Sequence, residues 1–159
     1  MKHLSILLAL CFHFAVYAQK TPESKKEIQM RSEEFTQQLI TLIEKRDIEA
    51  LKKLTTPKLY CYVCFDAAPE KPPIVDQKTF YTRYLIPVFN KDLLERLKRK
   101  EIKFSVDKYK AREGGRDYIV LYTIDRPNEL GDGHEGVQFI FWLKDEEDGL
   151  KLSGLETVP

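Results

Sequence analysis

From Ile102 to the end of the chain, apolar and polar residues alternate in runs separated by turn signals. Ile102, Phe104 and Val106 alternate with Lys103, Ser105 and Asp107. Val137, Phe139, Phe141 and Leu143 alternate with Gln138, Ile140, Trp142 and Lys144. A period of two places one set on each face of a strand. Gly114-Gly115, the glycine-bearing stretch 127–136 and the acidic run 145–149 supply the turns. Tyr118 to Asp125 is apolar on both faces, which predicts a central strand, and Leu150 to Val158 predicts the last one. The second half of the chain therefore reads as an antiparallel meander. Such a sheet needs one face covered, and the cover must come from the first half.

The first half is helical in period. Thr21-Pro22-Glu23 predicts a helix start, and Ile28, Phe35, Leu39, Leu42 and Ile43 form one stripe to about Arg46. Asp47 caps a second, short helix from Ile48 to Leu54, which Thr55-Thr56-Pro57 stops. The aromatic, β-branched run Leu59 to Phe65 predicts a strand. A proline-rich loop over 66–76 follows, with a short strand near Ile74-Val75. Asp76 caps a third helix with Phe80, Tyr84 and Val88 on one side. Pro87 must kink or break that helix, and a continuation runs from about Asn90 to Arg99. This order is α+β.

The N-terminus stands apart. Met1-Lys2-His3, the apolar run Leu4 to Val16 and the small residues at Val16 and Ala18 predict a signal peptide over 1–18. The run is shorter than the roughly 20 residues that span a bilayer. The expected mature chain is one domain, 19–159, exported to the periplasm or the medium, with no membrane span. Its loss of Lys2 brings the 26 basic and 25 acidic side chains level. That balance excludes a dedicated nucleic-acid binder, which carries a basic excess.

Processing also leaves one histidine, His134, and two cysteines, Cys61 and Cys64. In an exported chain an even number of cysteines suggests a disulfide. On an extended strand, however, residues three apart lie roughly 10 Å apart on opposite faces. A Cys61–Cys64 bond therefore requires the strand to bend, and two buried free thiols are the other reading. One CxxC pair and one distant histidine do not make a four-ligand zinc site, so no metal and no cofactor is expected.

The order of two helices, an aromatic strand, a third helix entered from Ile74 to Tyr84, and long antiparallel strands resembles the nuclear transport factor 2-like superfamily, also called cystatin-like or SnoaL-like. The ending Leu150 to Thr157 is similar to that of exported bacterial members. The resemblance spans nearly all of 22–158. It implies a curved sheet wrapping a long helix into a cone with a pocket. It also implies functions that range from isomerases, dehydratases, cyclases and hydrolases to non-catalytic binding modules and dimers paired through the sheet. No catalytic pair of that family matches a position here.

Three side chains are candidates for acid–base chemistry. His134, in Gly131-Asp132-Gly133-His134-Glu135-Gly136, could be oriented by Asp132 or Glu135. Asp107 and Asp125 could act as bases if they face an apolar interior. As solvated loop and strand-end residues they would do nothing. Tyr60, Tyr62, Phe80, Tyr84, Tyr122, Phe139 and Phe141 either line a pocket for a flat or apolar ligand or fill the core. The basic cluster Arg96, Lys98, Arg99, Lys100 and Lys103 could meet an acidic partner or complement a helix end. Ile140 and Trp142, on the outer face, would be covered in a homodimer. The expected function is non-catalytic binding of a small apolar ligand or a protein, with a small isomerase, hydratase or hydrolase and a dimeric structural module as alternatives.

Overall fold

The computed structural model describes residues 23–65, 73–106 and 118–159. The signal segment, Asp107 and the Gly114-Gly115 turn lie outside the described residues. Helix α1 spans Lys25–Lys45 and α2 Ile48–Lys53. Strand β1 (Thr55–Cys61) ends in one 3₁₀ turn, Tyr62–Cys64. Then come β2 (Ile74–Asp76), α3 (Gln77–Thr79), a π-helical turn (Phe80–Tyr84), α4 (Leu85–Val88) and α5 (Lys91–Leu97). Strands β3 (Ile102–Val106), β4 (Tyr118–Asp125), β5 (Val137–Glu146) and β6 (Gly149–Val158) complete the chain.

The strands form one open six-stranded sheet in the order β2-β1-β6-β5-β4-β3. The architecture is α+β. The sheet is not wholly antiparallel as expected, because β1 and β6 pair in parallel. The last strand returns beside the first, and the intervening chain supplies the crossover that a parallel pair needs.

Register explains the core. Val120, Phe141, Leu155 and Cys61 are successive partners across β4, β5, β6 and β1, and none is exposed to solvent. This row faces the helices, where α1 buries Phe35, Leu39, Ile40 and Ile43. The neighbouring row, Ile119, Trp142, Gly154 and Tyr60, lies on the opposite face. Gly154 is required there. A Cβ would stand 2.9 Å from the Tyr60 carbonyl oxygen and 3.2 Å from the Trp142 ring.

Four local departures from the sequence reading have physical causes. Helix α1 is capped by Ser24 rather than Thr21, through a reciprocal capping box with Glu27. Strand β1 starts at Thr55 rather than 59, since Thr55 pairs with Leu152 and the Thr56 hydroxyl donates to the Leu152 carbonyl. Pro57, without an N–H, falls where the register with β6 shifts. The third difference is the early end of β1 at Cys61. The fourth is the π turn before Pro87, where the Leu85 N–H reaches back five residues to the Phe80 carbonyl. The extra residue rotates the face, so Phe80, Leu85 and Phe89 are buried in place of the expected Phe80, Tyr84 and Val88.

Candidate functional site

The aromatic residues expected to line a pocket do not come together around one. Tyr122, Phe80, Phe139 and Phe141 are among the most completely buried side chains. Phe139 packs edge-on against Phe141 at 5.2 Å between ring centres, and Tyr122 against Phe141 at 5.5 Å. Phe89 joins Phe139 at 5.6 Å. These edge-to-face contacts fill the space between helices and sheet. Tyr60 lies on the other sheet face, Tyr62 in the 3₁₀ turn, and Tyr84 is half-buried beside Phe65.

Buried hydroxyls need partners, and the tyrosines have them. The Tyr122 hydroxyl accepts from Gln37 Nε2 at 2.7 Å and shares a hydrogen with Thr36 Oγ1 at 2.9 Å, which ties α1 to β4. The Tyr81 hydroxyl meets Thr55 Oγ1 at 2.6 Å. Burial raises both phenols, Tyr81 to about 12, because the phenolate would lose its water.

The three acid–base candidates fare differently. His134 is half-buried in the β4–β5 loop, and its Nδ1 accepts the Gly136 N–H at 2.9 Å. A backbone amide therefore orients the ring, in the role expected of Asp132 or Glu135. The His134 carbonyl takes the Asn128 N–H at 2.8 Å, and the Asn128 side chain takes the Gly133 N–H. Gly136 is pinned by φ +92° and by the Asp125 carbonyl, 2.6 Å from where a Cβ would be. The histidine is thus built into a closed loop. Asp125 is buried at the end of β4 and forms an ion pair with Arg96 of α5. Asp107 lies outside the described residues.

The basic cluster is largely matched within the chain. Arg96 also pairs with Asp92 at 2.9 Å, Lys98 with Glu44 and Glu95, and Arg99 with Glu129 at 3.0 Å. Arg126 pairs with Glu101. One further cluster carried no sequence signal. Arg31 of α1 bridges Glu23 and Asp145 at 2.7 Å each and ties α1 to the end of β5. Its partners lie 8 and 114 residues away, a spacing that no local pattern encodes.

The concave feature that sequence reasoning missed is a groove between the C-terminal end of α1 and helices α4 and α5. Its volume is about 410 Å³. Ile43, Leu85, Ile86, Phe89 and Leu94 supply its apolar wall, and Glu44, Arg46, Lys91 and Glu95 its charged rim. Ile86 is 60% exposed and lies at the mouth of this groove. The signal that could have found it is Ile86 itself, an apolar residue off the buried helix face. A second hollow of about 420 Å³ has, among the described residues, Met30 and Ile102 as its apolar walls.

Cys61 and Cys64 form a disulfide, with Cα atoms 5.3 Å apart. The strand bends as that bond requires. Among the described residues no group of three or more His, Cys, Asp or Glu could hold a metal ion. No described helix is long and apolar enough to cross a membrane.

No protein-family model matches the chain, and no curated protein or solved structure matches it.

Proposed function

We propose that this is an exported, non-catalytic binding domain whose ligand, a small apolar molecule, sits in the groove between α1 and α4–α5. The observation that carries the reading is the groove itself. It is a concave surface on which five apolar side chains converge, and its volume falls in the range of small-molecule sites. Its mixed charged rim suits a ligand with a polar end. The filled interior supports a site outside the core, since Tyr122, Phe139 and Phe141 occupy the space an internal pocket would need. The engaged states of His134 and Asp125 weigh against an acid–base enzyme. The disulfide supports export, because such bonds persist in oxidising compartments. A 21-residue helix against a six-stranded sheet supports the nuclear transport factor 2-like resemblance.

The test uses an environment-sensitive apolar dye and the mature protein. Binding should be saturable and should weaken at least about tenfold in Ile86→Asp, a loss of about 1.4 kcal/mol. Ile86 is exposed, so the variant should keep its melting temperature. Equal binding by wild type and variant would refute the groove.

A further inference from the structure

We propose that the Cys61–Cys64 disulfide is a redox latch: reduction by an external dithiol, entering at Cys64, lets β1 continue through Cys64 along the last residues of β6.

Four observations carry this. First, Leu59 to Phe65 has a strand-forming composition throughout, yet β1 stops at Cys61. Second, the stop coincides with the disulfide, which holds the two Cα atoms 5.3 Å apart where an extended chain would place them roughly 10 Å apart. On a strand the two side chains would also point to opposite faces. Bond and strand are therefore mutually exclusive conformations of one segment. Third, a template for extension is present. The parallel register ends at Cys61 with Leu155, but β6 runs on to Val158. Continuing it places Tyr62 beside Glu156, Val63 beside Thr157 and Cys64 beside Val158. Fourth, the side chains suit that register. Val63 already packs against the core, and it would stay on the core face with Cys61. Tyr62 would join Tyr60 and Trp142 on the other face, next to Glu156, whose carboxylate accepts the Trp142 indole N–H at 3.1 Å.

The chemistry is thiol–disulfide exchange. Cys61 is fully buried and Cys64 only half-buried, so the incoming thiolate attacks Cys64 Sγ. The Cys61–Cys64 bond breaks, and Cys61 Sγ leaves with the electron pair and takes up a proton. The second thiolate of the reductant then attacks its own sulfur in the mixed disulfide and releases the Cys64 thiolate, which is protonated in turn. The protein gains two electrons and two protons, and the dithiol becomes a disulfide. The latch is independent of the groove, which lies on other elements.

Residue-resolved hydrogen exchange on the full mature chain tests it, in three samples: unreduced wild type, wild type in dithiothreitol, and Cys64→Ser. Reduction should slow exchange at least about tenfold at one or more amides among Tyr62–Cys64 and Glu156–Val158, and the emission of the single tryptophan, Trp142, should shift. Cys64→Ser should show the same protection without reductant. A merely structural staple predicts the opposite sign, faster exchange after reduction. Unchanged or faster exchange at those amides, global opening in dithiothreitol, or resistance of the bond to reduction in the folded protein would each overturn the latch. So would two free thiols in the unreduced, denatured protein. Should Cys64→Ser fail to fold, the paired wild-type samples decide.

Discussion

Arg96 on α5 and Asp125 at the end of β4 form an ion pair that fixes a helix to the sheet beside the β4–β5 loop. The two are not equally replaceable. Asp125 is nearly buried, with 9% of its side chain exposed, and Arg96 keeps 25%. Arg96 also has Asp92 as a second partner. Removing the arginine leaves a buried carboxylate without its cation, whereas removing the aspartate leaves a guanidinium still paired and partly hydrated. Arg96→Met should therefore cost more than Asp125→Ala, on the order of 2 kcal/mol against 1. The double variant should cost less than the sum of the two. Urea unfolding of the three variants measures the cycle, and an additive result would show that the two charges do not couple.

Tyr81 gives a pH prediction. Its hydroxyl is buried against Thr55, and its pKa is raised from 10.0 to about 12. In the unfolded chain the phenol ionises near pH 10, while the folded protein holds the proton until about 12. Between these values the unfolded state binds fewer protons, so stability falls as pH rises. The contribution is fully present below pH 10. Tyr81→Phe should flatten the decline in denaturation midpoint between pH 9 and 11.5 relative to wild type. Parallel curves would show that Tyr81 does not carry it. Tyr122 shifts in the same direction and should leave a residual slope in the variant.

Strand β5 of the second half was legible because its apolar residues alternate. Phe139, Phe141 and Leu143 had only to alternate for β5 to be read. The helix caps Asp47 and Asp76 were legible for a similar reason, since each side chain accepts an N–H three residues on. What escaped was set by distant partners. The phase of Phe80, Leu85 and Phe89 depends on one π turn, and a period of four cannot show an inserted residue. The end of β1 depends on a covalent bond that strand propensity alone argues against. The groove depends on how α1 meets α4 and α5, so only the exposed Ile86 hints at it. Two of the acid–base candidates, His134 and Asp125, have partners that sequence does not show: the Gly136 N–H at His134 Nδ1, and Arg96.

Gly154 carries the last prediction. It sits opposite Trp142 on β5 and Tyr60 on β1, at the junction of antiparallel and parallel pairing. The constraint at Gly154 is steric, not conformational, because what a Cβ meets is the Tyr60 backbone oxygen at 2.9 Å, and backbone cannot rotate away. The Trp142 ring, at 3.2 Å, could yield by turning. Gly154→Ala should therefore push β1 from β6 rather than simply displace the indole, at a cost of about 1–3 kcal/mol. Two readouts separate the outcomes. If β1 is pushed, amides of Tyr60 and Cys61 exchange faster and the denaturation midpoint drops. If only the ring moves, Trp142 emission changes while those amides and the midpoint stay at wild-type values. The first result is expected, since Tyr60 and Cys61 carry the parallel register with Gly154 and Leu155.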